Sequence, residues 1–415
     1  MKTDSFLQPG LRSLATAVLA ATVGEKAMAV ELVLHEPVVV SQAPVGVNNW
    51  GPWQFPLLQR LADGRLLAEF QKGADSATDY GLPLGQAVSD DDGASWHEVS
   101  APGLTAGLRL PNGDELRAIQ QPSVPLKGLA MPKPWAVVPG SYDAVVQTYY
   151  WRAELPADLP KGWAFLRRRA GGTEWVKELA QVTVPDQVEY ATEGVYVVPF
   201  LDQDRIQVAP DGRLLAMLYV RPQMSRHRTV DRRYLSMMLE SADQGLSWTC
   251  KSTIPYCPDP KADPDWDARD GFTEPQFGRL PDGSLLALMR TSDGNSRGPL
   301  YVTRSADGGA SWEKPRVFNG QAGSWPQIMS LNNGVTLVSY GAPGVYLCWS
   351  ADPAGKTWSA PLAVVPNQST CGYSDLLALN DHEFLIVYSS FEVPDRNGQP
   401  RKTILCRKIS VRPSP

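Results

Sequence analysis

Short runs of alternating apolar and polar residues, each folded back about a two-residue turn, dominate the chain. In PLLQRLADGRLLAEF at 56–70 and FGRLPDGSLLALMR at 277–290, apolar runs flank an Asp-Gly pair. The same punctuation stands at Asp63-Gly64, Asn112-Gly113, Asp211-Gly212, Asp282-Gly283, Asn333-Gly334 and Asn380-Asp381. Asn-Gly and Asp-Gly enter the left-handed conformation that a tight hairpin demands, so each pair predicts two antiparallel strands.

A second motif falls between these turns. Ser89-Asp90-Asp91-Asp92-Gly93-Ala94-Ser95-Trp96 returns as Ser241-Ala242-Asp243-Gln244-Gly245-Leu246-Ser247-Trp248 and as Ser305-Ala306-Asp307-Gly308-Gly309-Ala310-Ser311-Trp312. A fourth copy, from Ser350 through Asp352 and Gly355 to Trp358, has one extra residue; a fifth, Arg169 to Trp175, has lost its acid. In this S-x-D-x-G-x-x-W pattern, the Asp-box, the aspartate bonds turn amides and the glycine takes a conformation other residues avoid. The tryptophan covers the hairpin. One hairpin of each kind makes a four-stranded unit, and such units hide their faces by stacking in a ring. The expectation is an all-β, six-bladed β-propeller with Asp-box repeats and blades at 54–98, 103–178, 201–250, 273–315, 325–360 and 372–410. Val30 to Ser41 supplies a strand that closes the ring, so 30–415 reads as one catalytic domain. The stretches 176–200 and 254–272 read as long loops, and 114–162 as an insertion in the second blade.

Composition narrows the class. Hydrophobic residues are 43% and charged residues 20% of the 415 positions, which excludes a disordered chain. The net charge of −5, without a long basic run, argues against nucleic acid as partner. At the N-terminus, Leu14 to Val23 is a short apolar run followed by Ala27-Met28-Ala29, the pattern of a signal peptide over 1–29 and of a secreted or periplasmic protein. No later run reaches the roughly 18 apolar residues of a membrane span. Five cysteines are an odd number, and Cys250 and Cys257 are close enough to close a small loop. Neither cysteine nor histidine spacing points to a metal, and no cofactor is implied.

With these boxes in place, the chain resembles the sialidase (neuraminidase) superfamily of six-bladed Asp-box propellers, over about 38–410. Thr273-Glu274-Pro275-Gln276, followed one strand later by Arg290, resembles the segment carrying that family's general base and a carboxylate-binding arginine. Gly372-Tyr373-Ser374-Asp375 resembles the segment of its nucleophilic tyrosine. The resemblance implies an exo-α-sialidase-like hydrolase in which Glu274 deprotonates Tyr373 as it attacks. A neutral tyrosine suits a sugar whose anomeric carbon bears a carboxylate, because an anionic nucleophile would be repelled. The family's acid/base aspartate belongs to the loop Gln71 to Leu84. Asp75 and Asp79 both qualify, and Asp79, ten residues before the box serine, is nearer the family offset.

The departures from the family concern arginine. Gln54 stands where the first of three carboxylate-binding arginines is expected, and Tyr340-Gly341-Ala342-Pro343-Gly344 stands at the third. Arg290 alone is in register, with Arg221, Arg226 and Arg228 as possible replacements. Gln54, Gln276 and Gln327, near Trp50, Trp53, Phe55 and Trp325, are amides and rings of the kind that bind sugar hydroxyls and faces. The same residues allow an Asp-box glycosidase or lyase for a different sugar, using Glu274 and Asp79 as a carboxylate pair, or a non-catalytic carbohydrate-binding propeller. The expected partner is a sialylated or other glycan, bound by a monomer.

Overall fold

The structure, a computed structural model, describes residues 30–99, 103–139, 146–184, 188–220, 233–294, 296–341, 343–366 and 369–413. The signal-peptide expectation for 1–29 lies outside them. Six antiparallel blades follow one another in chain order. Blade 1 runs from Gln54–Arg60 to His97–Glu98, blade 3 from Ile206–Val208 to Ser247–Ile254, blade 4 from Thr273–Arg279 to Arg316–Ala322, and blade 5 from Ser324–Ser330 to Leu362–Val365. Blade 2 consists of Leu108–Arg109, Glu115–Ile119, Trp163–Arg168 and Trp175–Thr183. Blade 6 combines Ser374–Ala378, Glu383–Pro394 and Pro400–Pro413 with Val30–Gln42, which pairs antiparallel with Pro400–Pro413. The first described strand thereby closes the ring.

Apolar clusters seal the joints between blades. Trp248, fully buried, packs with Phe165 and Trp163 between blades 2 and 3, and Phe384, Ile386 and Trp349 fill the joint between blades 5 and 6. Between blades 1 and 2 the buried apolar cluster shrinks to Leu61, Leu67, Val88 and Ala106. There the buried pair Arg117–Glu69, at 2.5 Å, ties the two middle strands together.

The boxes repeat atom for atom. In blade 3, Asp243 accepts from the Ser247 amide at 2.8 Å and from the Ser241 hydroxyl at 2.8 Å, while Gly245 N–H donates to Ser241 Oγ. The equivalent bonds recur at Asp91 and Asp307. The degenerate box of blade 2 is repaired from the neighbouring hairpin: Asp114 accepts from the Ala170 amide at 3.0 Å and from Arg169. All five cysteines are free, so the loop-closing pairing of Cys250 with Cys257 is not formed.

Two boundaries differ from expectation. Glu115–Ile119 is the second strand of blade 2, so the insertion begins after it rather than at 114. The stretch 176–200 is largely ordered strand, not loop. Its first part lies in the outer strand of blade 2, which runs parallel to Ser247–Ile254 and joins blades 2 and 3 into one eight-stranded sheet. Its second part, Val188–Thr192 and Val195–Tyr196, pairs with insertion strands Val124–Pro125, Ala136–Pro139 and Val146–Trp151 to form a five-stranded side sheet. Neither segment could close that sheet alone, which is why each reads as irregular in sequence.

Candidate active site

Three inner strands begin with the same distortion. The pairing register slips between Gln54 and Leu57, between Thr273 and Gln276, and between Ser324 and Gln327. At each slip the residue before a proline takes a positive φ: Phe55 at 54°, Glu274 at 43° and Trp325 at 46°. Bulky side chains avoid this region, so three copies of the strain at one level of the propeller mark a constructed site. The three side chains converge on Tyr373, at the head of blade 6. Trp325 stacks on its ring at 4.7 Å and 13°, Phe55 meets it edge-on at 4.9 Å, and Glu274 accepts a hydrogen bond from its hydroxyl.

Glu274 is held from every side. Its Oε1 also accepts from Arg290, and its Oε2 accepts from the Trp325 amide at 2.9 Å. Burial alone would raise the carboxyl, but Arg290, the Tyr373 hydroxyl, the Trp325 amide and Arg205 together outweigh it and hold Glu274 below the usual glutamate range. Burial and the charge of Glu274 push the Tyr373 phenol well above its ordinary value. The resting pair is therefore a neutral phenol donating to a carboxylate, an arrangement in which the carboxylate can take the proton if the phenol oxygen attacks.

The two acid candidates separate in space. Asp79 turns inward on its own loop and accepts from the Ala74 amide at 2.7 Å, which makes it a brace. Asp75 stands at the open mouth and accepts from the indole N–H of Trp50 at 3.0 Å, with Trp50 48% exposed. Desolvation raises the Asp75 carboxyl; the Trp50 bond opposes this, and the charges of Glu274 and Glu193 add to it. A raised carboxyl that feels the charge of Glu274 suits a proton donor. This geometry favours Asp75, where the sequence favoured Asp79. Glu193, on the turn of the side sheet, fixes this loop by accepting from Ser76 Oγ at 3.0 Å and from the Ala77 amide at 2.6 Å.

Other expected ligands prove to be scaffold. Gln54 is fully buried and its oxygen accepts from the Gly51 amide at 2.9 Å. Gln276 donates to Gln327 at 2.8 Å, and Gln327 donates to Asp204 at 2.7 Å; both amides are buried on the propeller axis. Trp53 packs on Phe70 in the core and donates to Ser41. These four side chains are corrected from sugar ligands to supports, because their polar atoms are consumed or enclosed. Arg221 lies outside the described residues, as do Arg226 and Arg228. Of the segment that stands at the third family arginine, Ala342 lies outside the described residues, and Gly341 has no room for a side chain: a Cβ there would stand 1.8 Å from the Gly372 carbonyl.

Arg205, which the sequence reading missed, enters the site from a short turn at the start of blade 3. It lies over the Trp325 ring at 4.2 Å and pairs with Asp202 at 3.2 Å. Tyr373 also stacks on that indole, so one ring contacts both the cation and the phenol. An Asp-Arg pair in a turn without a box or hairpin signal gave no clue to this. Arg297 also reaches the region, donating to the Cys371 carbonyl at 3.1 Å, two residues before Tyr373.

Below the site, Asp375 is buried and accepts from the Leu58 and Leu376 amides, and burial, with the charge of Asp204, pushes it up to about 7. A carboxyl raised on folding stabilises the native state at low pH and loses that contribution as pH rises towards 7. Thermal melts of wild type should therefore fall between about pH 4 and 7, by up to about 4 kcal/mol at 1.36 kcal/mol per pKa unit. Asp375→Asn should flatten that slope; an unchanged slope would assign it to other groups.

The family model for the BNR repeat-like domain matches residues 169–386, just over half of the chain. The chain belongs to this BNR repeat-like family. No curated protein matches it significantly. Among solved structures, this family member is similar to a protein of unknown function from Dyadobacter fermentans DSM 18053, at 18% identity and a TM-score of 0.63, covering 92% of this chain and 99% of that one. It is also similar to a mutant of the NanB sialidase from Streptococcus pneumoniae, at 13% identity and a TM-score of 0.53, covering 90% of this chain and 70% of that one. An α-L-arabinanase from Penicillium chrysogenum matches at 16% identity and a TM-score of 0.48, over 89% of this chain and 98% of that one. At these identities the likeness shows a sialidase-like propeller fold and leaves the chemistry to the site itself.

Proposed function

We propose that the chain is a secreted, exo-acting, retaining glycoside hydrolase of sialidase type that removes a terminal sialic acid from glycoconjugates. The observation that carries the reading is the hydrogen bond from the Tyr373 hydroxyl to a buried, ionised Glu274. Asp75, as the acid, protonates the departing glycosidic oxygen while Tyr373 Oη attacks the anomeric carbon. The phenol proton passes to Glu274 only as that bond forms, since the resting phenol is a far weaker acid than the carboxyl that receives it. Water, deprotonated by Asp75, then breaks the tyrosyl–sugar bond, and Glu274 returns its proton to the phenolate. Arg290, bonded to the same Glu274 oxygen as Tyr373, binds the substrate's carboxylate. Export is part of this proposal and rests on Leu14 to Val23 and the Ala27-Met28-Ala29 sequence.

One observation favours a second reading. With Gln54 enclosed and Gly341 unable to carry a side chain, Arg290 is alone among the family's three carboxylate ligands. A neutral sugar handled by Asp75 and Glu274 as a carboxylate pair needs none of them. Release of free sialic acid from α2,3- and α2,6-linked sialyl-oligosaccharides by the purified chain separates the readings. Release supports the first; hydrolysis confined to neutral glycosides supports the second.

Asp75 and Asp79 are distinguished by leaving-group dependence. Asp75→Asn should lower turnover of natural glycosides by about 10²–10⁴-fold, the usual worth of a general acid. Aryl glycosides with acidic phenols, which need little protonation, should lose far less. Asp79→Asn should disturb both substrates equally and by less than about tenfold. The reverse pattern would return the acid's role to Asp79.

A further inference from the structure

The turn that carries Trp50 is built around a buried ammonium. Within it, Gly51 has a φ of 111° and Trp53 one of 53°, and the Gly51 amide donates to Gln54 at 2.9 Å. The carbonyls of Asn49 and Pro52 converge on Lys402, from the blade 6 strand Pro400–Pro413. Lys402 Nζ donates to the Asn49 oxygen, approaches the Pro52 oxygen at 3.5 Å and lies 5.2 Å from the centre of the Phe391 ring. The side chain is buried, no carboxylate pairs with it among the described residues, and burial pulls its ammonium below the ordinary lysine value. Such a charge is costly to bury, and carbonyl oxygens with an aromatic face offset the cost. The strands are shaped to deliver it. Pairing passes from Ser390↔Thr403 to Val393↔Arg401, so Phe391 and Glu392 together stand opposite Lys402, a bulge of the kind that re-aims side chains beside active sites.

The same turn lies directly against the loop of the proposed acid. A Cβ on Gly51 would stand 2.3 Å from the Asp75 nitrogen, and the Asp75 amide donates to the Trp50 carbonyl at 3.4 Å. Trp50 supplies the one side-chain hydrogen bond to the Asp75 carboxyl among the described residues. Its indole meets Phe391 edge-on at 6.4 Å and Phe55 at 6.1 Å, and Phe55 in turn meets Tyr373. A half-exposed indole is not fixed by packing alone, but Lys402 grips the backbone on both sides of it, at residues 49 and 52. We propose that Lys402 is a positioning residue for the acid: by binding the Asn49 and Pro52 carbonyls it fixes Trp50, and through Trp50 the Asp75 carboxyl. The proposal rests on the reading of Asp75 as acid for its effect on catalysis, but not for the brace itself.

The kinetic test compares Lys402→Met, which keeps an unbranched apolar side chain and removes the donors, with Trp50→Phe and the double variant. On natural glycosides each single variant should lower kcat/KM about tenfold, the scale of a misplaced rather than a missing acid. Aryl glycosides with acidic phenols should change less than about twofold, because their departure needs little protonation. The double variant should be no worse than Trp50→Phe alone, since Lys402 acts through Trp50. Equal losses on both substrates, additive losses or no loss would overturn the proposal. Should Lys402→Met not fold, Phe391→Leu, which removes the ring shared by the ammonium and the indole, is read by the same criteria. A second readout needs no turnover. In the chain labelled with 5-fluorotryptophan, the fluorine NMR signal missing from Trp50→Phe belongs to Trp50. It should shift or broaden in Lys402→Met; an unmoved signal would overturn the brace whatever the activity. A moved signal in a chain that cleaves no glycoside would leave the brace standing and remove the hydrolase.

Discussion

Tyr373→Phe is expected to reduce kcat/KM on sialosides by on the order of 10³-fold or more, because removing a nucleophile removes the covalent route itself. The substitution takes away one oxygen. The ring remains stacked on Trp325 and in contact with Phe55, so substrate affinity and the unfolding midpoint should change little. If the second reading were correct, the same variant would keep most of its activity. No other single substitution divides the two mechanisms so widely.

The second large effect falls on Glu274. Glu274→Gln removes the base and should cost activity comparably to Tyr373→Phe, but it should also cost stability, which Tyr373→Phe should not. Arg290 loses this carboxylate at a position where the two side chains are only 12% and 8% exposed, and Arg205 loses a nearby counter-charge. Breaking one side of a buried ion pair costs about 3–5 kcal/mol, much of it the burden of the charge left behind. Pairing Glu274→Gln with Arg290→Met should therefore recover stability without recovering activity. Denaturant unfolding of the four chains gives the coupling directly. Equal stabilities of wild type and Glu274→Gln would mean that the arginine is not held by this carboxylate.

The propeller was legible because its signals are local. Asp-Gly turns and Asp-boxes specify their own hairpins through side chains within eight residues of each other, as the bonds of Asp243 to Ser241 and Ser247 display. Glu274 and Tyr373 were legible by resemblance, each lying in a short motif at the head of an inner strand. What the sequence hid is non-local. The side sheet is shared between two segments separated by two strands of blade 2, and nothing in either announces the other. The choice of Asp75 over Asp79 depends on Trp50 and Glu193, which come from different parts of the chain. Gln54, Gln276 and Gln327 have the right chemistry for sugar and the wrong depth, since burial is not written in residue type. Arg205 joined the site through an indole face, an interaction without a sequence signature.

The central claim is that Tyr373 forms a bond to the sugar with Glu274 as its base. The most direct measurement is intact-mass and peptide analysis of the purified chain after brief exposure to a fluorinated sialosyl fluoride, whose second step is slow. One sugar adduct per chain, located on Tyr373 and absent from Tyr373→Phe, is the predicted result. An adduct on Glu274 or Asp75, or turnover of the reagent with no adduct and inverted configuration, would contradict it.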